Sequence, residues 1–349
     1  MNMISSTRFH ILWNGSPLSE VIPSRGIRQG DPLSPYLFIL CLERLSIKLT
    51  EAVQNKNIHP LYFRTGVHLS HLFFVDDIFL FTRATARDCM NLNRLLLEFC
   101  TMSGQIMSAT KSKAWFSPRT LRRIKEQVAG ILGLPTTDRI GTYLGTPIFS
   151  TRRTASSYQY LVDNIRKRIE GWQARYLYMV GRATFIKVSV TSIPIYAMQT
   201  AILLQKICHH IDKLSCQFLW GDTDSRKGCH TINWETVTLP KEAGGIGITL
   251  TRHRNQAILM HQAWCLYSTP SSLWARIFKA KYFPQATLFI GPQIARRSHI
   301  WTGISLGAEL LCDGMRWFVG DGRTIRVWQD HWLPNGSLRD YIKGSLPYQ

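Results

Sequence analysis

Two adjacent aspartates, Asp76 and Asp77, lie between two short apolar runs and form the pattern that most directly suggests chemistry. The runs, residues 72–75 and 78–81, predict the two strands of a hairpin that carries both carboxylates at its tip. Such a pair suits Mg²⁺, which binds one or two carboxylates together with substrate phosphates. The alternative is an ordinary turn, because aspartate is favoured in turns. On the pair alone, the ordinary turn is the favoured interpretation.

A second segment, residues 25–35, places a polar, glycine-rich stretch before an apolar helical pattern. Gly26 and Gly30 allow the backbone to approach a ligand closely. The side chains in this segment that can hold a phosphate or a base are Arg25, Arg28 and Gln29. The alternative is a turn that only begins the next helix, with Ser34 as its cap and Pro35 in its first turn.

The balance of charge points to a polyanionic partner. The chain of 349 residues has 42 Lys and Arg against 22 Asp and Glu, a formal net charge of +20. Nucleic acid and an anionic membrane surface are the two classes of partner that this excess favours. No apolar run approaches the ~18 residues that a membrane span requires, and the first residues lack the pattern of a secretory signal.

The eight cysteines form no CxxC pair, which favours a reduced intracellular protein with buried thiols. Cys208, His209, His210 and Cys216 offer a zinc alternative. Their spacing falls within an apolar helical pattern, so structural packing is the favoured interpretation. Cys229-His230 lies too far along an uncertain loop to complete such a site.

The order of elements predicts an α+β unit up to about residue 150. Apolar residues at helical spacing from Phe38 to Leu49 predict a largely buried helix. A second helix is expected from the cap Thr85 to Ser103-Gly104, and a third ends at Gly133. A short strand pair is expected around Lys111 and residues 114–116.

Beyond residue 150 the pattern changes to longer helices, one of which carries Pro194 as a probable kink. We divide the chain into residues 1–150, a helical region over 151–225 and a third region over 226–349. The last part is rich in tryptophan, and its glycines and charged residues predict short strands and turns.

Four segments resemble motifs of reverse transcriptases, in the same order along the chain. Residues 25–35 resemble motif B, and Phe74-Val75-Asp76-Asp77 resembles the Phe/Tyr-x-Asp-Asp motif C. Residues 103–112 resemble motif D, and residues 143–145 resemble the primer-grip region. The match is closest to LINE-type, non-LTR retrotransposons, particularly those of plants. Downstream segments similar to these elements include residues 171–172, 218–221, 244–247 and 321–330.

The resemblance implies a partial polymerase palm, an antiparallel sheet with helices, followed by a mainly helical thumb and connection. Its reaction is RNA-directed DNA synthesis from an RNA template, a DNA primer and dNTPs. By position, Asp76 and Asp77 bind catalytic Mg²⁺, Gln29 and Gly30 lie near nucleotide and template, and Lys111 lies near the triphosphate. The basic residues expected on the primer-template backbone are Arg166, Lys167, Arg168 and Arg175. A solvated helix face is their alternative.

The resemblance also predicts a third metal-binding carboxylate, in a motif A upstream of motif B. Residues 1–30 contain one acidic residue, Glu20. We therefore expect an N-terminally truncated chain that lacks motif A and the fingers and is catalytically defective by itself. The alternatives are a non-catalytic, basic nucleic-acid-binding remnant and a pseudogene-like product that does not fold stably.

Overall fold

The computed structural model describes thirteen ranges of the chain. They are residues 8–22, 26–27, 30–138, 140–143, 145–148, 154–171, 176–222, 228–285, 288–290, 298–323, 325–328, 330–333 and 336–341. The chain divides into two compact units, Met1–Ser150 and Thr151–Gln349. Helices and short strands are mixed, which confirms the α+β class. The names palm, thumb and connection stay predictions.

Three helices organise the first unit: α1 Ser34–Gln54, α2 Ala86–Ser103 and α3 Arg122–Leu132. The predicted limits of α2 are confirmed, because the Thr85 side chain accepts a hydrogen bond from the Asp88 backbone and Gly104 takes a left-handed conformation. Ser34 was named from the sequence as the cap of α1, but it does not cap this helix. It is the first residue of the helix, and Asp31 instead accepts a 2.9 Å bond from the Leu33 N–H.

The core of the first unit lies between α1 and α2. Its buried residues include Leu42, Leu45 and Leu49 of α1 and Leu92, Leu96 and Phe99 of α2. The prediction that α1 is largely buried is wrong. It is apolar on more than one face, and Tyr36, Ile39 and Leu40 are 67%, 59% and 66% exposed. The face that meets the core carries Phe38, Leu42, Leu45 and Leu49.

The strands of the first unit are short and pair two by two. They are β1 Leu12–Trp13 with β2 Ser16–Pro17, β3 Leu61–Tyr62 with β4 His68–Leu69, β5 His71–Phe74 with β6 Asp77–Leu80, β7 Ala114–Trp115 with β8 Thr136–Thr137, and β9 Thr142–Tyr143 with β10 Thr146–Pro147. All pairs are antiparallel except β7 with β8. A strand around Lys111 was expected to pair with β7, but Lys111 lies in a turn. The partner of β7 is β8, which follows α3.

The second unit is built from helices. They are α4 Gln159–Ile169, α5 Met179–Phe185, α6 Ile195–Thr200, α7 Gln205–Trp220, α8 Trp234–Val237, α9 Thr251–Ser268, α10 Leu273–Tyr282, α11 His299–Gly314 and α12 Leu338–Tyr341. A π-helical turn, Ile186–Val190, joins α5 to the turn before Pro194 and α6. The prediction of strands and turns for the last part misses α11, which contains Trp301. None of the helices in the described ranges is long and apolar enough to cross a membrane.

Two contacts fix the packing of α9. A Cβ atom on Gly307 of α11 would lie 2.3 Å from the Leu259 carbonyl oxygen, so glycine is needed for this close approach. The buried Asn255 side chain accepts a 2.8 Å bond from the Leu203 N–H. It also donates to the carbonyl oxygens of Met198 and Ala201, at 3.1 and 3.0 Å. One amide thus joins α9 to the end of α6.

Replacing Asn255 by alanine is expected to lower the free energy of unfolding by about 3 kcal/mol, because one buried N–H and two carbonyl groups lose their partner. The midpoint of thermal unfolding measures the effect. Asn55→Ala, at an exposed position beyond α1, is the control and should leave the midpoint almost unchanged. Equal midpoints for the two variants would refute the role given to Asn255.

Candidate active site and nucleic-acid interface

The two aspartates lie on an antiparallel hairpin of the first unit. Strand β5 ends at Phe74, β6 begins at Asp77, and these two residues are paired. Val75 and Asp76 form the turn. The strands therefore lie one residue earlier than predicted, and Asp77 belongs to β6 rather than to the tip. Both aspartates are exposed.

The backbone of the turn is strained at Val75, whose φ is 51°. A positive φ is a genuine outlier for a β-branched residue. Val75 is 63% exposed, so burial of its side chain does not offset the strain. Such outliers cluster at functional sites, where the surrounding structure enforces them. Strain beside two adjacent carboxylates therefore favours the functional interpretation over an ordinary turn.

Tyr143 packs on one face of this hairpin. Its ring centroid lies 5.0 Å from that of Phe79 and 6.4 Å from that of Phe74, with interplanar angles of 78° and 77°. These are the edge-to-face geometries that aromatic rings prefer. Phe73 and Leu80 pack against the core between α1 and α2. The structure thus brings together the segments that resemble motif C and the primer grip.

His71 fastens the beginning of β5. One ring nitrogen lies 2.9 Å from the hydroxyl oxygen of Ser46 in α1, and the other lies 2.9 Å from that of Ser70. Burial lowers the pKa of His71, and the nearby charge of Glu43 only partly offsets this. A ring that is bonded on both sides and resists protonation holds the strand against the helix. Nothing in the local sequence pattern marked this histidine.

Asp88 is the buried carboxylate that ties the end of the hairpin to α2. It is 2% exposed and accepts hydrogen bonds from the backbone and ring N–H groups of His59, each at 3.0 Å. The Thr82 hydroxyl, just after β6, lies 3.5 Å away. Sequence reasoning missed Asp88, because an acidic residue in the first turn of a helix is common without such a role.

The structure describes some of the other residues that were predicted to contact a ligand. Gly26 and Gly30 take positive φ values of 85° and 87°, and a Cβ atom on either would meet nothing within 4 Å. None of the described residues therefore fills the space beside either glycine. Lys111 is exposed, in the turn before β7. Three predicted residues lie outside the described ranges: Arg25, Arg28 and Gln29.

The charges at the hairpin leave room for a cation. In the described ranges no Lys or Arg forms a salt bridge with Asp76 or Asp77. The same ranges hold no cluster of three His, Cys, Asp or Glu side chains placed to bind a metal ion. Two exposed carboxylates fit one Mg²⁺ that keeps most of its water or takes substrate phosphates. They are too few to enclose a metal by themselves.

The basic residues of α4 lie in its last turn. Arg166, Lys167 and Arg168 are exposed, and Arg168 donates its Nε–H to the Ser189 hydroxyl at 2.9 Å. No acidic side chain forms a salt bridge with them in the part of the unit that is described. Cations left unpaired on one turn are available to an anion. The fourth predicted contact, Arg175, lies outside the described residues.

The cysteine predictions are partly wrong. Cys89 and Cys208 are buried, but Cys41 and Cys229 are exposed. They lie on helix or loop faces that nothing in the described unit covers. Burial and the charge of Asp212 raise the pKa of Cys208 to about 11, which suits a packed thiol rather than a zinc ligand.

A contact that the sequence pattern did not reveal involves His230. Its Nδ1 lies 3.9 Å from the Cys216 sulfur, and its Nε2 lies 3.1 Å from the Asp222 carboxylate. Its ring stacks on Trp220, with centroids 5.8 Å apart. These contacts close the loop after α7. Cys216 and Asp222 contact opposite ring nitrogens of His230, so these side chains do not converge on one point, and the described residues form no metal site here.

A comparison with known proteins finds a family match in the first half of the chain. Residues 2–161 match the family model of the reverse transcriptase (RNA-dependent DNA polymerase). That segment contains the strained hairpin, the Tyr143 contact, Gly26 and Gly30. The match to the reverse transcriptase family therefore covers 160 of the 349 residues, and these include the candidate site. The predicted resemblance to the reverse transcriptase of a non-LTR retrotransposon is confirmed.

Three relatives extend this comparison. A protein of Arabidopsis thaliana named as a ribonuclease H protein is 30% identical over 205 residues, which are 58% of this chain and 33% of the relative. An uncharacterized mitochondrial protein of the same plant is 29% identical over 143 residues, 41% of this chain and 93% of that protein. An uncharacterized 149 kDa protein of transposon TX1 from Xenopus laevis is 24% identical over 293 residues. The matched regions span about a third of the first relative and about a fifth of the TX1 protein.

Replacing Val75 of the reverse transcriptase segment by glycine is expected to raise the free energy of unfolding by roughly 1 kcal/mol. The left-handed conformation is strained for a β-branched residue but not for glycine. Relief of this strain outweighs the larger conformational entropy that glycine loses on folding. The urea midpoint measures the change. Ile78→Gly, in β6, is the control and should lower the midpoint. A Val75→Gly protein that unfolds as early as the control would contradict the strained turn.

The pKa of His71 predicts how stability depends on pH. Because the folded value is lowered, the unfolded state binds the proton more readily. The contribution of His71 is complete above the unfolded pKa of about 6.5 and is lost as the pH falls below it. Urea unfolding from about pH 7.5 to about pH 5.5 should show a larger loss of stability in the parent protein than in His71→Gln. Parallel pH curves for the two proteins would exclude this role.

Proposed function

We propose that this chain carries the metal-binding and primer-positioning part of the reverse transcriptase of a non-LTR retrotransposon. The observation that supports this most is the Asp76-Asp77 hairpin. Its turn is strained, no Lys or Arg of the described ranges pairs with its two carboxylates, and Tyr143 packs against its strands. A two-residue turn places its first central residue at positive φ, but that position is usually taken by Gly, Asn or Asp rather than by valine. RNA template, DNA primer and dNTP are the proposed partners.

In this proposal Asp76 and Asp77 hold Mg²⁺. When bound, the ion neutralises charge on the triphosphate and stabilises the oxygens of the phosphoryl transfer. The protein's own contribution is positional. Tyr143 and the core between α1 and α2 fix the hairpin from its two faces, so the carboxylates project at a constant angle.

The nucleotide and template belong on the side of the glycine-rich segment. None of the described residues fills the space beside Gly26 or Gly30. Arg25, Arg28 and Gln29 are proposed to supply donors for phosphate and base, and Lys111 is proposed to contact the triphosphate. In the second unit, Arg166, Lys167, Arg168 and Arg175 are proposed to contact the backbone of the primer-template duplex.

We further propose that these 349 residues do not polymerise by themselves. Two-metal catalysis needs more negative charge than two adjacent aspartates supply. Glu20, the only acidic residue before Asp31, forms a 3.0 Å salt bridge with Arg8 and is not available as a ligand in that state. We propose that a third carboxylate is needed to complete the site.

A chimaera tests this function directly. It joins residues 25–349 to the front half of an active reverse transcriptase of the same family, and primer extension is measured with RNA template, dNTPs and Mg²⁺. Extension by the chimaera that is lost in Asp76→Asn, with none from the 349-residue chain, is the expected result. Asp138→Asn, on the segment after β8, is the charge-matched control and should extend normally.

Two results would contradict the proposal. Extension by the 349-residue chain alone that depends on Asp76 would show that the site is already complete. A folded chimaera that binds primer-template but never extends it would instead favour the second candidate, a non-catalytic nucleic-acid-binding protein. The observation that supports this candidate is the basic last turn of α4, whose cations form no salt bridge in the described ranges. It predicts binding that weakens steeply with salt and is unchanged by Asp76→Asn.

A further inference from the structure

We propose that a cleft in the second unit, beside the basic turn of α4, binds a backbone phosphate of a single nucleic-acid strand. This inference rests on the proposed function and adds a specific subsite to it. It assigns ligand-binding roles to two further residues: Asn164 and Ser189.

The cleft has a volume of about 490 Å³ and is lined by two elements of the second unit. The lining residues of α4 are Asn164, Lys167 and Arg168. The π-helical turn contributes Ser189, and the segment after it contributes Ser192 and Ile193. The volume falls in the range of ~300–1,000 Å³ that is usual for small-ligand sites. It therefore has room for a phosphate with its attached sugar.

The π-helical turn explains why serines line this cleft. The Thr191 N–H bonds to the Ile186 carbonyl oxygen at 3.0 Å, five residues back, while Ile186 and Val190 are fully buried. This arrangement leaves Ser189 half-buried at the cleft, where its hydroxyl receives the Arg168 Nε–H. The Ser192 hydroxyl donates to the Ser189 carbonyl oxygen at 2.8 Å. Short π-helical segments occur frequently at functional sites.

The donors in the cleft suit an anion that accepts several hydrogen bonds. Lys167 and Asn164 have no side-chain hydrogen bond or salt bridge within the described ranges, so the ammonium and the amide are both available. With its Nε–H bonded to Ser189, Arg168 is held at the cleft and retains its terminal N–H donors. The hydroxyl of Ser189 can donate while it accepts from Arg168.

A phosphodiester fits this set better than a carboxylate ligand or a neutral one. Its oxygens accept from ammonium, guanidinium, amide and hydroxyl groups, and phosphate is the group that such mixed sets recognise along nucleic-acid backbones. The formal net charge of +20 attracts the same polyanion over longer distances. Ile193 is the single apolar residue of the lining and can contact a sugar.

Binding of short, fluorescently labelled single-stranded RNA and DNA by the full chain tests the cleft. Lys167→Gln is expected to weaken binding roughly three- to tenfold and to reduce the slope of log affinity against log salt by about 0.7. Ser189→Ala is expected to weaken binding without changing that slope. The controls are Arg276→Gln, which removes one exposed charge from α10, and Ser268→Ala at the end of α9.

The outcomes separate this inference from the function on which it rests. If the parent chain binds neither oligonucleotide, the cleft is wrong, and the proposed function fails as well only if a primer-template duplex is not bound either. If it binds but Lys167→Gln and Arg276→Gln weaken binding equally, the attraction is diffuse and only the cleft is wrong. Vesicles of anionic phospholipid form the third arm. Lys167-dependent binding to vesicles without binding to oligonucleotides would show that the cleft serves a membrane and would overturn the inference.

Discussion

The buried carboxylate of Asp88 is the interaction on which the candidate active site depends. It accepts two hydrogen bonds from His59 and lies within reach of Thr82, so it connects the start of α2, the segment after α1 and the end of β6. A buried acceptor that lost these donors would carry an uncompensated charge, at a cost of several kcal/mol. The hairpin therefore cannot shift relative to α1 and α2 without breaking this joint. This constraint gives Asp76 and Asp77 a fixed position despite their exposure.

Strain and rigidity belong together in this arrangement. A turn with positive φ at Val75 persists only where its two strands are held from outside. Tyr143 holds one face of the hairpin, and Phe73 and Leu80 anchor the other in the core. His71 adds hydrogen bonds at the far end of β5. The strained residue and the carboxylates are thus presented by a support that is itself well packed.

Periodicity and caps predicted the regular parts of the fold because their causes are local. Helix α2 runs from the cap Thr85 to Gly104, and α7 ends before the left-handed Gly221, as local rules require. Helix α11 escaped prediction because its glycines imitate a loop. They serve a distant contact, since Gly307 lets the helix approach the backbone of Leu259. The hairpin also lies one residue away from its predicted position. Its turn begins at Val75, and local rules do not favour a valine at positive φ.

The candidate site was predictable to the extent that it lies in one stretch of sequence. Asp76 and Asp77 were found as a pair, whereas Asp88, His59 and His71 act through contacts between distant segments and carry no local signature. The same holds for Ser189, which meets Arg168 across 21 positions of the chain. Residues that do chemistry can be marked by type and spacing. Residues that position them are recognised only when the chain is folded.

The central claim is that Asp76 and Asp77 together hold a divalent cation on a rigid hairpin. Paramagnetic broadening by Mn²⁺ of the methyl NMR signals of Val75 and Ile78 tests it most directly. The account predicts that these signals broaden selectively, recover when Mg²⁺ is added in excess, and do not broaden when both aspartates are replaced by asparagine. Broadening that is absent, or that persists when both aspartates are replaced, would contradict it.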